Sequence, residues 1–183
     1  MIIHETDING VYLCEQTSKE DHRGFFARWY CSDEMKYRNL NYDWAQMNNS
    51  ASNQKYTLRG LHFQVAPSQE VKFIRCINGE IWDVVVDLRP QSYTFGKWAA
   101  FNLSSKNRHS VYVPQGCAHG FLTLTDKSEI IYLVSSKYDP ASERTLLWND
   151  KTIGIKWPSK PHVISEKDKV GTSFGDLKGN ILV

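Results

Sequence analysis

Short segments rich in β-branched and aromatic residues alternate along the chain with clusters of Gly, Pro, Asn, Asp and Ser. Apolar runs of about four to eight residues between such turn-forming clusters are typical of strands. This pattern predicts eight strands, at residues 11–15, 24–31, 70–77, 80–88, 97–103, 110–113, 120–124 and 129–135. Strands at this spacing indicate an all-β sandwich or barrel.

The pair Asn78-Gly79 lies between two of these predicted strands and indicates a β-hairpin, because it can supply both positive φ angles of a type I′ turn. Pairing across that turn would place four residues on one face: Lys72, Ile74, Asp83 and Val85. That face is either a solvated surface with a cross-strand ion pair between Lys72 and Asp83, or the ligand-holding interior of a barrel. The apolar residues around the two charges favour the interior.

Helix is sparse in the predicted structure. Residues 32–38 predict a helix of about two turns, with Ser32 as its N-cap, acidic residues early and basic residues late. From Pro158 onward the apolar pattern is less periodic and Gly and Pro recur, which predicts an irregular, partly helical lid or tail packed on the barrel. Because there is no internal repeat or shift in composition, we expect a single domain over residues 1–183.

The charge composition argues against a nucleic-acid partner. The chain has 22 basic and 20 acidic residues, a net charge of +2, and no basic tract that would follow a phosphate backbone. No apolar run approaches the length of a membrane span, so no membrane association is expected. The N-terminus lacks a secretory pattern and the cysteines form no CxxC pair, so we expect a cytoplasmic protein with reduced thiols at Cys14, Cys31, Cys76 and Cys117.

The segment LRGLHFQ, at residues 58–64, contains the first candidate for chemistry, His62. A lone histidine in an apolar strand is most often a satisfied core residue, so its partners elsewhere in the chain must decide its role. A second histidine, His119, lies in the Gly-flanked segment PQGCAHGF, and Tyr132 follows in the next apolar run. Imidazole titrates near neutral pH, and these residue types are suited to acid-base chemistry.

Six sequence blocks follow one another along the chain: DHRGFF at 21–26, LRGLHFQ at 58–64, FGKW at 95–98, PQGCAHGF at 114–121, LWND at 147–150 and SEKD at 165–168. Together they resemble the dTDP-4-dehydrorhamnose 3,5-epimerase family of bacterial deoxysugar pathways, over most of the chain. The resemblance implies a cupin-type jelly roll and a homodimer. It also implies epimerisation of a nucleotide-linked 4-keto-6-deoxyhexose beside its ketone, at C3, C5 or both, without a cofactor or metal.

Epimerisation beside a ketone needs a base, a positive group for the enolate oxygen and an acid on the opposite face. The resemblance implies four residues for these roles: His62 as the base, Asp168 as the carboxylate supporting its imidazolium, Lys72 as the enolate stabiliser and Tyr132 as the acid. The predicted position of Lys72 on a largely apolar face agrees with this role. Without the resemblance, Tyr132 would be interpreted as an ordinary half-buried strand tyrosine.

The same resemblance implies substrate-binding roles for a larger set, with Tyr138 stacked on the base: Arg23, Gln46, Asn48, Arg59, His119, Glu143 and Lys167. Arginine suits a diphosphate because its planar guanidinium forms paired, charge-assisted hydrogen bonds. Arg59 lies three positions before His62, so a regular strand would direct the two side chains to opposite sides. We therefore predict that Arg59 precedes the strand or that a bulge lies between them.

Arg28 is a further candidate for substrate binding, and it departs from the family pattern, which has a glutamate at this position. At the edge of a base, a carboxylate accepts the N3–H of thymine, whereas a guanidinium donates to the N3 and O2 acceptors of cytosine. Either the substrate is a CDP-linked sugar, or Arg28 turns to solvent and neighbouring residues hold thymine.

Two other functional classes stay open at this point. A metal-dependent cupin would normally need two closely spaced histidines, but neither His62 nor His119 belongs to an HxH pattern. A non-catalytic jelly roll that binds sugar nucleotides could use the same Arg and Tyr contacts, but it would not need an opposed base and acid. The motifs suit epimerisation at either carbon, because one base and one acid can serve both.

Overall fold

Strands make up most of the regular structure over residues 1–179, which the computed structural model describes. The strands are β1 (Ile2–Glu5), β2 (Tyr12–Glu15), β3 (Ser18–Asp21), β4 (Gly24–Ala27), β5 (Gln46–Ser52), β6 (Thr57–Gln64), β7 (Lys72–Asn78), β8 (Glu80–Asp87), β9 (Trp98–Ser104), β10 (Ser110–Val113), β11 (Cys117–Thr123), β12 (Ser128–Val134), β13 (Glu143–Thr145) and β14 (Val163–Ile164). The helices are short: α1 (Ser32–Tyr37), α2 (Glu166–Lys169) and α3 (Phe174–Lys178). The predicted all-β architecture is confirmed.

Two six-stranded sheets face each other across an apolar core. The first sheet has the order β1-β2-β10-β7-β12-β5, and the second has the order β13-β6-β11-β8-β9 with β14 also beside β6. Inner-face side chains of both sheets pack together, among them Ile74, Val111, Ile81, Val85 and Phe121. β3 and β4 form a separate two-stranded sheet, which we call the arm, over residues 18–27.

The predicted hairpin between β7 and β8 is wrong, because the two strands belong to different sheets. β7 pairs with β10 and β12, while β8 pairs with β9 and β11. Gly79 has a φ of +73°, but Asn78 does not share the positive φ that a type I′ turn requires. The chain therefore crosses between the sheets at Gly79. Lys72 and Asp83 still both point inward. Each lies two positions along its strand from a residue of the core between the sheets, Ile74 on β7 and Ile81 on β8.

Two predictions for the segment after the arm also need correction. The N-cap of α1 is Cys31, whose backbone is extended (φ −146°, ψ 119°) and whose side chain makes no capping hydrogen bond. Ser32 is already helical, so it cannot be the N-cap. The strand predicted over residues 24–31 ends at Ala27, where the arm ends.

The C-terminal segment packs on the second sheet as an irregular, partly helical tail, which confirms that prediction. β14 lies beside the first half of β6, and β13 beside its second half. α3 adds Phe174 and Leu177 to an apolar cluster that also contains Leu61 and Phe63 of β6. The tail therefore flanks the start of β6, the strand that carries His62, while β13, which precedes the tail in the chain, flanks its end.

Neither disulfide bonds nor membrane-spanning helices contribute to the described part of the fold. The four cysteines are free thiols. Burial raises the pKa of Cys14 and Cys117 to about 12 and that of Cys76 to about 11, which makes these thiols poor nucleophiles. Over residues 1–179, no helix is long and apolar enough to cross a membrane.

Candidate active site

A cavity of about 440 Å³ opens between the two sheets. Seven of the predicted site residues line it: Arg59, His62, Lys72, His119, Tyr132, Lys167 and Asp168. The cavity has the size of a small-molecule site, with apolar walls and a few convergent polar groups.

His62 and Asp168 form a closely coupled pair on one wall. Nε2 of His62 lies 2.7 Å from Oδ1 of Asp168, and Oδ2 accepts the N–H of Gly60 at 3.1 Å. Asp168 is held in place because its own N–H donates to the N-cap hydroxyl of Ser165 at 3.1 Å. Burial raises the pKa of Asp168, but the hydrogen bonds from His62 and the Gly60 N–H outweigh it and lower the pKa. The ionised carboxylate orients one ring nitrogen of His62 and leaves the other to accept a proton.

A bulge in β6 brings Arg59 and His62 to the same cavity, which is one of the two arrangements predicted from the sequence. His62 pairs with His119 and Arg59 pairs with Phe121, so β6 carries one extra residue between these positions. Gly60, inside the bulge, has a φ of +121°, and a Cβ added there would lie 2.5 Å from a backbone atom of β11. Only glycine fits this position without displacing the neighbouring strand.

Tyr132 and Lys72 lie on the facing wall, on adjacent strands of the first sheet. Tyr132 opposes Ile74, two positions from Lys72, so Tyr132 and Lys72 are diagonal neighbours on the inner face. Nζ of Lys72 forms an ion pair with Glu70. Burial and then the charge of Glu70 raise the pKa of Tyr132, and Arg59 partly opposes this shift. The phenol is therefore protonated at neutral pH and can donate a proton.

His119 is buried beside His62, with its own carboxylate partner. Its Nε2 lies 2.7 Å from Oδ2 of Asp83, and it stands directly opposite His62 in the pairing of β11 with β6. The sequence placed Asp83 diagonally close to Lys72, and this was wrong because the two residues lie on facing sheets. Asp83 therefore fixes the ring of His119 instead.

Four of the predicted binding residues form a connected chain of contacts, which we call the rim. The backbone N–H of Tyr138 donates to Oε1 of Gln46 at 3.0 Å, and the Tyr138 hydroxyl donates to Glu143 at 2.8 Å. Glu143 forms an ion pair with Lys167 at 2.5 Å. Asn48 lies two positions from Gln46 on β5 and opposes Tyr132 in register. The exposed ring of Tyr138 thus stands near the cavity opening, to which Lys167 connects it.

Arg23 and Arg28 do not line the cavity of their own chain. Arg23 lies at the tip of the arm, where it pairs with Asp21 at 2.6 Å, and its side chain is 79% exposed. Arg28 follows the arm, is exposed, and lies 3.4 Å from Glu34 of α1.

Several cavity residues were missed by reasoning from the sequence. Two carboxylates bond to lining residues without lining the cavity themselves: Asp83, the partner of His119, was placed on the correct face but with the wrong partner, and Glu70, the partner of Lys72, was only the first residue of a predicted strand. Eight lining residues had no role assigned from the sequence, although Leu58, Phe121 and Ser165 belong to the sequence blocks: Ser50, Thr57, Leu58, Phe121, Ile130, Val163, Ile164 and Ser165. Their positions depend on how the two sheets and the tail meet. The described residues include no group of three or more His, Cys, Asp or Glu side chains placed to bind a metal ion.

Known proteins match this chain over nearly its whole length. A family model described as dTDP-4-dehydrorhamnose 3,5-epimerase matches residues 5–176. The chain is 40% identical to the dTDP-4-dehydrorhamnose 3,5-epimerase of Shigella flexneri, over 96% of this chain and 97% of the relative.

Solved structures also superpose closely on the fold. The rmlC epimerase of Mycobacterium tuberculosis has a TM-score of 0.93 at 36% identity, covering 98% of this chain and 91% of that one. ChmJ of Streptomyces bikiniensis, a 3′-monoepimerase in complex with dTDP-quinovose, has a TM-score of 0.89 at 31% identity, covering 96% and 89%. The two facing sheets are thus the cupin-type jelly roll that the sequence predicted.

Proposed function

The chain belongs to the dTDP-4-dehydrorhamnose 3,5-epimerase family, and we propose that it epimerises a nucleotide-linked 4-keto-6-deoxyhexose beside its ketone in deoxysugar biosynthesis. The observation that carries this proposal is the arrangement of the cavity. The His62–Asp168 pair on one wall, 2.7 Å apart, faces Tyr132 and Lys72 on the other. A mere binding site has no need of a base and an acid on opposed walls. No cofactor is required, because proton transfer alone inverts the carbon.

In the first step, His62 removes the proton from the carbon beside the ketone. The C–H electron pair becomes the C–C double bond of an enolate, and the carbonyl electrons move to the oxygen. Asp168 stabilises the imidazolium that forms, because it is ionised and directly hydrogen-bonded to the ring. The Lys72 ammonium stabilises the enolate oxygen.

In the second step, Tyr132 protonates the same carbon from the opposite face. The enolate electrons form the new C–H bond, the ketone is restored, and the configuration is inverted. Tyr132 is left as a phenolate and His62 as an imidazolium, and exchange with solvent restores both. The raised pKa of Tyr132 keeps its proton in place until an enolate is present to accept it.

The nucleotide end of the substrate is assigned to Arg59 and the rim. Arg59 and Lys167 line the cavity with positive charge, which suits a diphosphate. Tyr138 is 58% exposed at the rim, so its ring is free to stack on a base. Gln46 and Asn48 lie on β5, the strand next to β12, and add polar contacts. His119 lines the cavity beside His62.

We also propose a homodimer in which the arm of one chain reaches the cavity of its partner. Arg23 is implied in substrate binding but lies outside the cavity of its own chain. On the same arm, Phe25 and Phe26 are 50% and 71% exposed, which is unusual for aromatic residues unless another surface covers them.

The free thiols fit a cytoplasmic location.

The proposed nucleotide is dTDP, with CDP as the alternative that Arg28 raises. Arg28 lies 3.4 Å from Glu34, so a carboxylate in the same chain partly compensates its charge. Isothermal titration of the full chain with dTDP and CDP decides between them. We expect tighter binding of dTDP, and tighter binding of CDP would instead assign Arg28 to the cytosine edge.

The proposed activity is tested by incubation with dTDP- and CDP-linked 4-keto-6-deoxyglucose in D2O, followed by NMR. We expect deuterium beside the ketone together with an inverted isomer of the favoured nucleotide sugar. The positions of label report whether C3, C5 or both react. Absence of both label and isomer with either nucleotide sugar would refute the proposed function.

A further inference from the structure

Glu70 is a buried carboxylate that the steps above leave without a role. Its side chain is 10% exposed, and that of its ion-pair partner Lys72 is 12% exposed. Burial of a charge costs free energy, so a buried charged side chain is normally paired with a group of opposite charge. Lys72 lines the cavity, whereas Glu70 is not among its lining residues. The ion pair is therefore oriented, with its ammonium toward the cavity and its carboxylate behind the wall.

The same carboxylate also acts on Tyr132. Lys72 stands between the two, because Glu70 lies two residues before it, ahead of β7, and Tyr132 is its diagonal neighbour on β12. Burial raises the pKa of Tyr132 most, and the negative charge of Glu70 raises it further, against the opposing effect of Arg59. One carboxylate thus touches one reactive group and influences the other.

Other carboxylates face this part of the cavity, but each of them is paired with a residue other than Lys72. Asp168 is bonded to His62, and Asp83 to His119. The charged and titratable groups around Lys72 and Tyr132 are Arg59 and His62 on β6, Glu70 before β7, Asp83 on β8, His119 on β11, Glu143 on β13 and Lys167 and Asp168 on α2. Glu70 is the carboxylate among them that is paired with the proposed enolate stabiliser.

We propose that Glu70 is a positioning residue of the epimerase, whose carboxylate holds the Lys72 ammonium toward the ketone oxygen and retains the proton on Tyr132 until the enolate has formed. The lysine side chain is long and flexible, so an anchor behind the wall reduces the positions that its ammonium can occupy. This inference rests on the proposed function of the cavity.

A titration of the phenol tests this inference without requiring turnover. Phenolate absorbance is followed against pH in the full chain and in Tyr132→Phe, and the difference isolates Tyr132. The same difference is taken between Glu70→Gln and the double variant Glu70→Gln/Tyr132→Phe. We expect the Tyr132 titration to move to lower pH when Glu70 loses its charge. A titration that is unmoved, or that moves upward, would overturn the proposal.

Steady-state kinetics test the effect on catalysis. For Glu70→Gln we expect kcat near neutral pH to fall about tenfold while KM stays within about twofold, because the interaction serves the enolate rather than ground-state binding. The alkaline limb of the pH profile of kcat/KM should move to lower pH, with the acid limb unmoved. Glu70→Asp, which keeps the charge, should retain the alkaline limb of the parent chain.

Glu129→Gln is the matched control. It removes a carboxylate from β12, the strand of Tyr132, at a site outside the cavity where Glu129 accepts a hydrogen bond from Asn49 at 2.8 Å. This variant should keep the parent kinetics at every pH. A loss in Glu70→Gln that is uniform across pH, or an equal shift in the control, would contradict the role of Glu70. If the parent chain does not turn over, the proposed function fails, and the phenol titration still decides whether Glu70 acts on Tyr132.

Discussion

Three basic side chains that line the cavity are each held by a carboxylate partner. Asp168 holds His62, Asp83 holds His119, and Glu70 holds Lys72. An imidazole or ammonium with a fixed partner occupies fewer orientations, so its distance to a bound substrate is better defined. At this scale the chemistry depends on pairs of residues rather than on isolated groups.

The His62→Ala variant separates catalysis from binding. Without the base, deuterium incorporation beside the ketone should fall by about 10³-fold or more, because proton removal begins both exchange and inversion. Binding of dTDP, measured by isothermal titration, should stay within about threefold, since the nucleotide is assigned to Arg59 and the rim. His109→Ala, which changes a histidine that lies 3.9 Å from Glu15 and does not line the cavity, serves as the control. Retained exchange in His62→Ala would show that another group is the base.

At the scale of elements, β6 is the strand on which the site depends. The bulge at Gly60 brings Arg59 to the cavity together with His62, and the Gly60 N–H binds Asp168 at 3.1 Å. β13 and β14 each pair with only part of β6. Neither strand binds the Gly60 N–H, and the carboxylate of Asp168 binds it instead, so the bulge and the His62–Asp168 pair form one structural feature.

The Gly60→Ala variant should be strongly destabilised. Its Cβ would lie 2.5 Å from Gly120 Cα and 2.8 Å from the His119 carbonyl oxygen, in addition to the strain of a positive φ. We expect the free energy of unfolding in urea to fall by about 3 kcal/mol or more. Gly24→Ala is the matched control, because Gly24 has a φ of +124° but nothing within 4 Å of an added Cβ. That variant should lose only about 1 kcal/mol. Equal losses would show that the close approach of β6 and β11 is unimportant.

Local signals predicted some elements and missed others for identifiable reasons. The bulge at Gly60 could be predicted because Arg59 and His62 would otherwise face opposite sides. The crossover at Gly79 could not, because Asn-Gly is also the strongest hairpin signal and local sequence does not encode which sheet a strand joins. β3 and β5 were missed because they are largely polar and lack apolar alternation. The role of Glu70 also depends on tertiary placement, since its partner faces a cavity that only the folded sheets create.

At the scale of the whole molecule, the arm is the part of the chain for which we propose a role in the cavity of a partner. A mixture of two inactive variants tests whether it serves a partner. In a dimer of one His62→Ala chain and one Arg23→Ala chain, one cavity combines an intact His62 with an intact Arg23 only if the arm acts on the other chain.

Coexpression of these two variants should therefore restore activity to about a quarter of the parent value, because half the dimers are mixed and each has one complete site. If the arm serves its own cavity, activity should not exceed the mean of the two variants. Sedimentation velocity on the same samples tests whether the mixed species are dimers.

The expectation of one domain over residues 1–183 stays a prediction, which coincident unfolding transitions by fluorescence and circular dichroism would support.

In the proposed mechanism, a base and an acid on opposed walls invert one carbon through an enolate. Its most direct test is to measure deuterium exchange and inversion side by side in D2O for the parent chain and Tyr132→Phe. Removal of the acid should leave exchange within about threefold of the parent while inversion falls about 10²-fold, because His62 can still form the enolate but the opposite face receives no proton. Parallel loss of exchange and inversion, or undiminished inversion, would contradict this mechanism.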